Sequence, residues 1–322
     1  MPVAVPWICV NAKCISLNAI ILTEEGGSRH RVFQRCQFDD ILRHFDVSGS
    51  IYFGWMSSRE DGMLLKDRVA IITGGGRGIG RGIALRFAQE GAAVAVAARG
   101  EAEIRGVAAE IEKGRGRASA VSADVGTESG CERIVQAARD QFGKVDILVN
   151  AAGIYGPVKP VEQISASEWD AVMAANLRGP FLLSRLVLPE MYQRGSGSIL
   201  NITSASGKVP FSLNSPYASS KAGLAGLTRT LAAEAARKGV RVNALSPGPV
   251  PETRMSQELG RELAEYFHGD PDQMFKQFLE GILQGRPQTA GEIAAAAVFL
   301  VSDEASAITG QTLNVDGGMA FY

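Results

Sequence analysis

A phenol and an ammonium lie four residues apart in the segment of residues 217–221, Tyr-Ala-Ser-Ser-Lys. On a helix, side chains at this spacing occupy one face, one turn apart. A tyrosine normally titrates near ~10, and a fixed cation beside it favours the phenolate and lowers that pKa. Tyr217 and Lys221 therefore predict a proton-transfer pair that works near neutral pH. The same spacing also arises by chance on amphipathic helices. The surrounding residues must therefore distinguish a proton-transfer pair from a chance occurrence.

A second chemically informative stretch is the glycine-rich turn of residues 73–80, Thr-Gly-Gly-Gly-Arg-Gly-Ile-Gly. It follows a short apolar run, residues 69–73, and precedes a helical pattern. Glycines let the backbone turn sharply and approach a pyrophosphate, and the helix N-terminus supplies free N–H groups. This position, between a first strand and a first helix, favours a dinucleotide site over an ordinary loop. The predicted cofactor contacts here are Gly74, Arg77, Gly78, Ile79 and Gly80.

The end of the second predicted strand bears on the choice of cofactor. In dinucleotide-binding folds an acidic side chain there binds a free ribose 2′-hydroxyl, whereas an arginine accommodates a 2′-phosphate. Residues 96–99 read Val-Ala-Ala-Arg, with no carboxylate at the strand tip. Arg99, together with Arg77 in the nearby glycine turn, therefore predicts NADP(H) in preference to NAD(H). The alternative is that both arginines are solvated surface residues.

From Met63 onward, strand-like apolar runs alternate with helical patterns. The predicted strands are residues 69–73, 94–97, 118–122, 146–149, 198–203, 240–245 and 312–315, and the predicted helices include 101–113, 128–142, 167–193, 215–238 and 290–301. In the helix of residues 167–193, Gly179 and Pro180 predict strain or a break. The alternation predicts an α/β fold, a Rossmann-type doubly wound parallel sheet of about seven strands with helices on both faces.

Residues 1–62 show no sustained period. We interpret them as an N-terminal extension, either a disordered or accessory segment or a stretch upstream of a true start at Met56 or Met63, and we interpret residues 63–322 as a single catalytic domain. Three of the four cysteines, Cys9, Cys14 and Cys36, lie in the extension. Their spacing matches no tight zinc-ligand pair. Neither a disulfide framework nor a metal site is expected.

The composition is that of an ordinary globular protein. Of 322 residues, 46% are hydrophobic and 21% charged, which is ample for one large core. The formal net charge is −1 and basic runs are lacking, so nucleic acid and anionic membrane are not expected partners. No apolar run is expected to span a bilayer, no secretory signal is evident, and a cytoplasmic location is predicted.

Together these segments resemble the short-chain dehydrogenase/reductase family, of the single-domain type that includes the 3-oxoacyl-carrier-protein reductases. The resemblance covers residues 63–322 and includes Asp-Val at 124–125, Asn-Ala-Ala-Gly at 150–153, where the family usually has a second Asn, and Asn-Val-Asp-Gly-Gly at 314–318. Thr253 comes one residue later than is usual in the family. Beyond the glycine turn and Arg99, the cofactor contacts that the resemblance implies are Asp124, Val125, Asn150, Gly153, Tyr217, Lys221, Pro247, Gly248, Val250 and Thr253.

Four residues match the family's catalytic set, namely Asn176, Ser204, Tyr217 and Lys221, with Ser204 thirteen residues before Tyr217. The resemblance implies an NAD(P)(H)-dependent oxidoreductase that interconverts a secondary alcohol and a ketone, with Tyr217 as general acid or base. Ser204 would orient the substrate oxygen, Lys221 would lower the pKa of Tyr217 and bond the nicotinamide ribose, and Asn176 would hold a water linked to Lys221. The alternative is a catalytically silent cofactor-binding regulator with the same fold.

The expected substrate pocket is mostly apolar and suits a medium-sized alcohol or ketone. Its predicted lining is Ile154, Tyr155, Ala205, Val209, Phe211 and Leu213. Residues 253–287, here called the lid segment, are amphipathic and predict either a helical lid over the site or a packing helix pair. Arg194 and Lys238 are candidate contacts for an acyl-carrier protein. The long helices 167–193 and 215–238 predict a homo-oligomer, a dimer or a tetramer.

Overall fold

The computed structural model describes residues 62–322 and, before them, two short strands, β1 (Ile20–Ile21) and β2 (Val32–Phe33), which pair antiparallel. The chain divides into two compact units, Met1–Gly62 and Met63–Tyr322. The expectations for Cys9, Cys14 and Cys36 lie outside the described residues. Within the described part, no group of three side chains suited to hold a metal ion occurs.

Seven strands of the second unit form one parallel sheet. They are β3 (Val69–Thr73), β4 (Ala93–Ala98), β5 (Arg117–Ser122), β6 (Ile147–Asn150), β7 (Gly197–Ile202), β8 (Val240–Pro247) and β9 (Thr312–Val315). The order across the sheet is β5-β4-β3-β6-β7-β8-β9, and every neighbouring pair is parallel. The chain direction across the sheet reverses between β3 and β6. This switch point opens a crevice at the carboxyl ends of the strands, where such folds bind ligands.

Helices cover both faces of the sheet, as the sequence predicts. The helices are α1 (Gly78–Gln89), α2 (Glu101–Lys113), α3 (Glu128–Phe142), α4 (Ala166–Met173), α5 (Gly179–Arg194), α6 (Ser215–Ala235), α7 (Arg254–Phe267), α8 (Pro271–Glu280) and α9 (Ala290–Val301). Adjacent residues of β3 face opposite sides, so Ile72 packs with α1, α2 and α9, and Ile71 packs with α3, α5 and α6. The predicted Rossmann-type α/β sheet is confirmed.

The helix predicted at residues 167–193 is interrupted. A π-helical segment, Ala174–Arg178, separates α4 from α5, and Pro180 lies in the first turn of α5, where a missing N–H costs nothing. The break is therefore one turn earlier than the glycine and proline suggest. Single π turns inside helices frequently accompany functional positions. This one carries Asn176, whose side chain is fully buried.

The helical stretch of 29 residues from Ala166 to Arg194 is long and apolar enough to cross a bilayer by length and composition alone. The sequence expectation that no segment reaches this length was therefore wrong. Half of its most apolar window is buried within the domain, and α5 contributes Leu183, Val187 and Met191 to the core. Packing against the sheet accounts for this apolar character.

Candidate active site and cofactor cleft

A cleft of about 850 Å³ opens at the carboxyl ends of the strands, beside the switch point. Its walls come from the glycine-rich turn, the tip of β4, the loops after β5 and β6, and α7. Ten predicted cofactor residues line it, namely Gly74, Arg77, Gly78, Ile79, Gly80, Arg99, Asp124, Val125, Gly153 and Thr253. The topology thus gathers residues that are up to 179 positions apart in sequence.

The glycine-rich turn has no room for side chains. Gly74 has a φ of +66°, and a Cβ there would lie 2.8 Å from backbone atoms of Ala152. A Cβ on Gly80 would collide with the Gly74 carbonyl. The Thr73 hydroxyl accepts hydrogen bonds of 3.1 Å from the amides of Ala151 and Ala152 and so fixes the turn to the loop after β6. The backbone is therefore open to close approach by a ligand.

Helix α1 presents its N-terminus to this cleft. No side chain caps it, and its first turn has no acidic residue. Its orphan N–H groups and the positive end of its dipole therefore remain available for an anion. A dinucleotide pyrophosphate requires this combination of donors and a bare backbone. The residues present fit such a cofactor.

Helix α6 brings Tyr217 and Lys221 to one buried position. Their relative exposures are 8% and 5%. The Lys221 Nζ lies 5.6 Å from the centroid of the Tyr217 ring and donates a hydrogen bond of 2.8 Å to the carbonyl oxygen of Ile202, at the end of β7. Ser204, two residues further along the chain, lies within hydrogen-bonding reach of the Tyr217 phenol. Three of the four predicted catalytic residues therefore converge.

Burial dominates the acid–base properties of this pair. It raises the pKa of Tyr217 to about 12, and the hydrogen bond with Ser204 opposes the rise. Burial also lowers the pKa of Lys221 to about 8. The net shift of the Tyr217 pKa is therefore upward, because desolvation of the phenolate outweighs the opposing contribution. The lowering of the Tyr217 pKa by Lys221 stays a prediction. At neutral pH Tyr217 keeps its proton and can donate it.

Asn176, the fourth predicted catalytic residue, clamps the loop after β6 to helix α6. Its Oδ1 accepts a hydrogen bond of 2.9 Å from the Ile154 amide, and its Nδ2 donates to the Ile154 carbonyl at 2.9 Å and to Ser220 Oγ at 3.0 Å. Ser220 in turn donates to the Tyr217 carbonyl at 2.7 Å. The water linking Asn176 to Lys221 stays a prediction.

Sequence reasoning missed Ser220. Its hydroxyl is fully buried between Asn176 and the first turn of α6. The signal was present, because a serine three residues after Tyr217 lies on the same helix face. A Cβ on Gly153 would come within 3.1 Å of Asn176 Oδ1 and 3.5 Å of Lys221 Nζ. The loop, the π segment and α6 therefore meet at one point.

The family model described as enoyl-(acyl carrier protein) reductase matches residues 74–320. This chain belongs to the short-chain dehydrogenase/reductase family. A short-chain reductase from Streptomyces niveus, NovJ, is 38% identical over 79% of this chain and 94% of its own length. A solved variant of the actinorhodin polyketide ketoreductase with NADPH is 35% identical, covers 79% of this chain and 98% of that chain, and has a TM-score of 0.76.

A second solved structure bears on the cofactor. The 3-ketoacyl-(acyl-carrier-protein) reductase from Brucella melitensis, in complex with NADH, is 36% identical, covers 80% of this chain and 100% of that chain, and has a TM-score of 0.71. Members of this short-chain family use nicotinamide cofactors. One solved relative holds NADPH and the other holds NADH, so family membership does not determine whether the cofactor carries a 2′-phosphate.

Besides Tyr217 and Lys221 of helix α6, four predicted cofactor residues do not line the cleft, namely Asn150, Pro247, Gly248 and Val250. The Asn150 amide donates 2.8 Å across the sheet to Asn201 Oδ1. Val250 is buried in the core, and its carbonyl accepts a 2.8 Å hydrogen bond from the Thr253 hydroxyl. These residues shape the strand ends and the start of α7, and direct contacts to a cofactor stay predictions.

The tip of β4 itself carries no carboxylate, as expected, but the following helix brings one beside it. Glu103, in the first turn of α2, lines the cleft, and its Oε1 accepts a hydrogen bond of 3.2 Å from Arg77. A Cβ on Gly100 would lie 2.7 Å from Glu103 Oε2, which places the carboxylate beside the strand tip. The first turn of α2 folds this side chain back toward the strand tip, so the residues of the strand end alone do not indicate it.

The lid segment forms two helices, α7 and α8. Helix α7 contributes Arg254, Met255, Glu258, Leu259 and Glu262 to the cleft wall. Phe278 of α8 packs against Phe211, with ring centroids 5.9 Å apart. The helical part of the prediction is therefore confirmed, and gating stays a prediction.

Arg194 and Lys238 do not border the cleft. Arg194 bonds Glu190 and the Val145 carbonyl, and the Lys238 ammonium lies 4.0 Å from the Tyr192 ring centroid. Both residues come just before the amino ends of strands β7 and β8, and in a parallel sheet these ends lie opposite the site. They are therefore poorly placed to present a carrier-bound substrate to Tyr217.

Proposed function

We propose that the protein is an NAD(P)(H)-dependent oxidoreductase that interconverts a secondary alcohol and a ketone, with Tyr217 as proton donor and acceptor. The observation that carries the proposal is the convergence of Tyr217, Lys221 and Ser204 at the switch point, beside a cleft with a bare glycine turn. Hydride transfer needs the substrate carbon against a nicotinamide and a proton donor at the substrate oxygen.

A bound nicotinamide supplies the hydride in reduction and takes it up in oxidation. Tyr217 donates its hydroxyl proton to the carbonyl oxygen as negative charge develops there, and accepts it back in the reverse reaction. Ser204 holds the same oxygen by a hydrogen bond and so orients the carbonyl. Because the pKa of Tyr217 is raised to about 12, the residue is protonated throughout the neutral range and has a proton to donate in reduction.

Lys221 stabilises the phenolate that forms when Tyr217 gives up its proton. With a pKa near 8, its ammonium is charged at neutral pH, and its low exposure makes the attraction stronger than in water. The Asn176 and Ser220 side chains hold the loop after β6 against α6 and keep this geometry fixed.

For the cofactor we propose NADP(H) in preference to NAD(H). Arg77 and Arg99 both line the cleft near the tip of β4, where a ribose 2′-phosphate would be held. The pyrophosphate would be held by the glycine turn and the N-terminus of α1, and Asp124 and Val125 would border the adenine. The NADPH in the solved polyketide ketoreductase is consistent with this preference.

The substrate that we propose is a medium-sized, mostly apolar ketone or alcohol. Ile154, Tyr155, Met255 and Leu259 contribute apolar surface to the cleft, and Tyr155 packs on Tyr217. The ketoreductase and ketoacyl reductase relatives act on carbonyl groups by name. We also propose a cytoplasmic homo-oligomer that pairs through α5 and α6. The Phe181 ring of α5, 46% exposed, supports such pairing.

The experiment that tests the reaction is a panel of ketones, aldehydes and β-ketoacyl thioesters with NADPH and with NADH, followed by absorbance. Tyr217→Phe should lower kcat by roughly 10²–10⁴-fold, because it removes the proton donor. Cofactor affinity should change little. The matched control is Tyr192→Phe, which removes a phenol from the last turn of α5, near the amino end of β7.

Two outcomes would contradict the proposal. Turnover that survives Tyr217→Phe would rule out the proposed proton donor. Tight cofactor binding without turnover of any carbonyl or alcohol would favour the silent regulator.

A further inference from the structure

We propose that Glu103 sets how strongly the cofactor cleft discriminates between a ribose 2′-phosphate and a free 2′-hydroxyl. It does so by pairing with Arg77 and by placing a negative charge beside the tip of β4. The inference rests on the proposed function, because it concerns the 2′ end of the same cofactor. It deepens that function by assigning a selecting role to a residue outside the strand tip.

The geometry brings Glu103 together with two arginines, one from the glycine-rich turn and one from the tip of β4. Arg77, Arg99 and Glu103 all line it. The Arg77 Nη1 lies 3.2 Å from Glu103 Oε1, and the two side chains are 53% and 43% exposed. Among residues 62–322, Arg99 takes part in no ion pair. One arginine is therefore free and the other is partly neutralised.

This arrangement affects the two cofactors in opposite ways. A 2′-phosphate carries roughly −1.5 to −2 charges at neutral pH and prefers bidentate arginine partners. Glu103 occupies Nη1 of Arg77, and its carboxylate repels the phosphate, so both effects weaken the binding of a 2′-phosphate. A free ribose hydroxyl instead finds in Glu103 the acceptor that an acidic strand-tip residue supplies in NAD-binding folds.

Helix α7 adds charges of both signs to the same corner. Arg254 lies within electrostatic reach of Glu103, and Glu258 lies within reach of Arg77. Arg254 and Glu258 pair with each other at 2.6 Å. Because these two charges pair with each other, the proposal assigns the balance at the 2′ position to Arg77, Arg99 and Glu103.

Glu103 can also stabilise the N-terminus of α2, and this effect has a matched control. Glu101 and Glu103 both lie in the first turn of α2, where acidic side chains favour the helix dipole. Glu101 pairs with Arg105 on the outer side of the helix and does not line the cleft. Glu101→Gln therefore removes the same helix-terminal charge without touching the cofactor corner. In Glu103→Gln the side chain keeps an amide oxygen, which can accept a hydrogen bond at the third position of the helix as the carboxylate can.

The test is titration calorimetry of the full chain with two probes, adenosine 2′,5′-bisphosphate and 5′-AMP. In Glu103→Gln we expect the bisphosphate to bind on the order of five- to tenfold more tightly at low salt, with the gain shrinking in high salt. The 5′-AMP affinity should stay the same or weaken. Glu101→Gln should leave the ratio of the two affinities unchanged.

The inference is overturned if Glu103→Gln leaves the affinity ratio at the wild-type value, or if Glu101→Gln changes it equally. Its failure is distinguishable from failure of the proposed function. Wild-type protein that binds both probes while Glu103 has no influence refutes the selecting role alone. Wild-type protein that binds neither probe refutes the cofactor site itself.

Discussion

The ring of Tyr155 stacks on the ring of Tyr217, with centroids 4.7 Å apart and planes inclined by 31°. Tyr155 lines the cleft and lies close to Asn214, which precedes α6, and to Glu262 of α7. Burial raises its pKa, as it does for Tyr217. The Tyr155 ring therefore covers part of the proton donor and contributes to its burial.

Removing this stack should make Tyr217 easier to ionise. Tyr155→Leu opens the covering ring to water, and water favours the phenolate, so the pKa that governs alcohol oxidation should fall. Tyr155→Phe keeps the ring and loses only the hydroxyl, so its fall should be smaller. The pH profile of kcat for oxidation measures both. Equal profiles in the two variants would show that the ring itself contributes nothing.

The glycine-rich turn should not tolerate a side chain at Gly80. Gly80→Ala places a methyl group against the Gly74 carbonyl and should weaken cofactor affinity at least about tenfold, because the turn must open. The matched control is Gly106→Ala on the exposed face of α2, where a Cβ meets nothing within 4 Å. That change should raise stability by about 0.5–1 kcal/mol and leave affinity unchanged. Fluorescence titration with NADPH and thermal melts report the two effects.

Unchanged affinity in Gly80→Ala, with a normal melting curve, would contradict the role given to the turn. Weaker affinity in both variants would show that the measurement reports helix stability rather than contact with the cofactor.

The sequence predicted the sheet and the catalytic pair because both are local patterns. The apolar runs of the strands and the Tyr217–Lys221 spacing can be recognised in the sequence without knowledge of the tertiary fold. The direction of the Tyr217 pKa shift could not be predicted in this way, because it depends on desolvation by β7, the loops and Tyr155. Glu103 was missed for a related reason, since a helical turn returns it to a strand tip that the sequence shows as empty.

The π-helical segment around Asn176 could not be predicted from the sequence either. Gly179 and Pro180 indicate a break, but the extra residue of the π turn depends on the Asn176 contacts with Ile154 and Ser220. Those partners are 22 and 44 positions away. Tertiary hydrogen bonds of this kind override the local helical pattern.

Lys221 should cost stability as well as provide activity. Burial lowers its pKa from 10.5 to about 8, so below pH 8 the folded state carries the full penalty of a buried cation. Between about 8 and 10.5 the unfolded chain binds the proton that the folded chain has released, and stability should rise with pH. Lys221→Met should therefore stabilise the protein at pH 7, by about 1–3 kcal/mol, while it abolishes turnover.

Urea unfolding at pH 7 and pH 10 measures this effect. The gain from Lys221→Met should be largest at pH 7 and should shrink toward pH 10, whereas the exposed Lys113→Met should change stability at neither pH. A loss of stability in Lys221→Met at pH 7 would show that the hydrogen bond to the Ile202 carbonyl outweighs the burial of the charge.

The lid segment should respond to the cofactor. Thr253 caps α7 by accepting a hydrogen bond from the Ser256 amide. Its methyl group faces Gly78 of the glycine-rich turn and would lie 3.1 Å from a Cβ at that position. A ligand seated on that turn should therefore order α7 and, through the aromatic contact of Phe278 with Phe211, α8. We expect NADPH to slow amide hydrogen exchange in both helices. Helix α3, which lies away from α7 and α8 in the fold, serves as the internal control. If exchange in α7 and α8 is unchanged while exchange in the glycine turn slows, the two helices are a packing pair without a gating role.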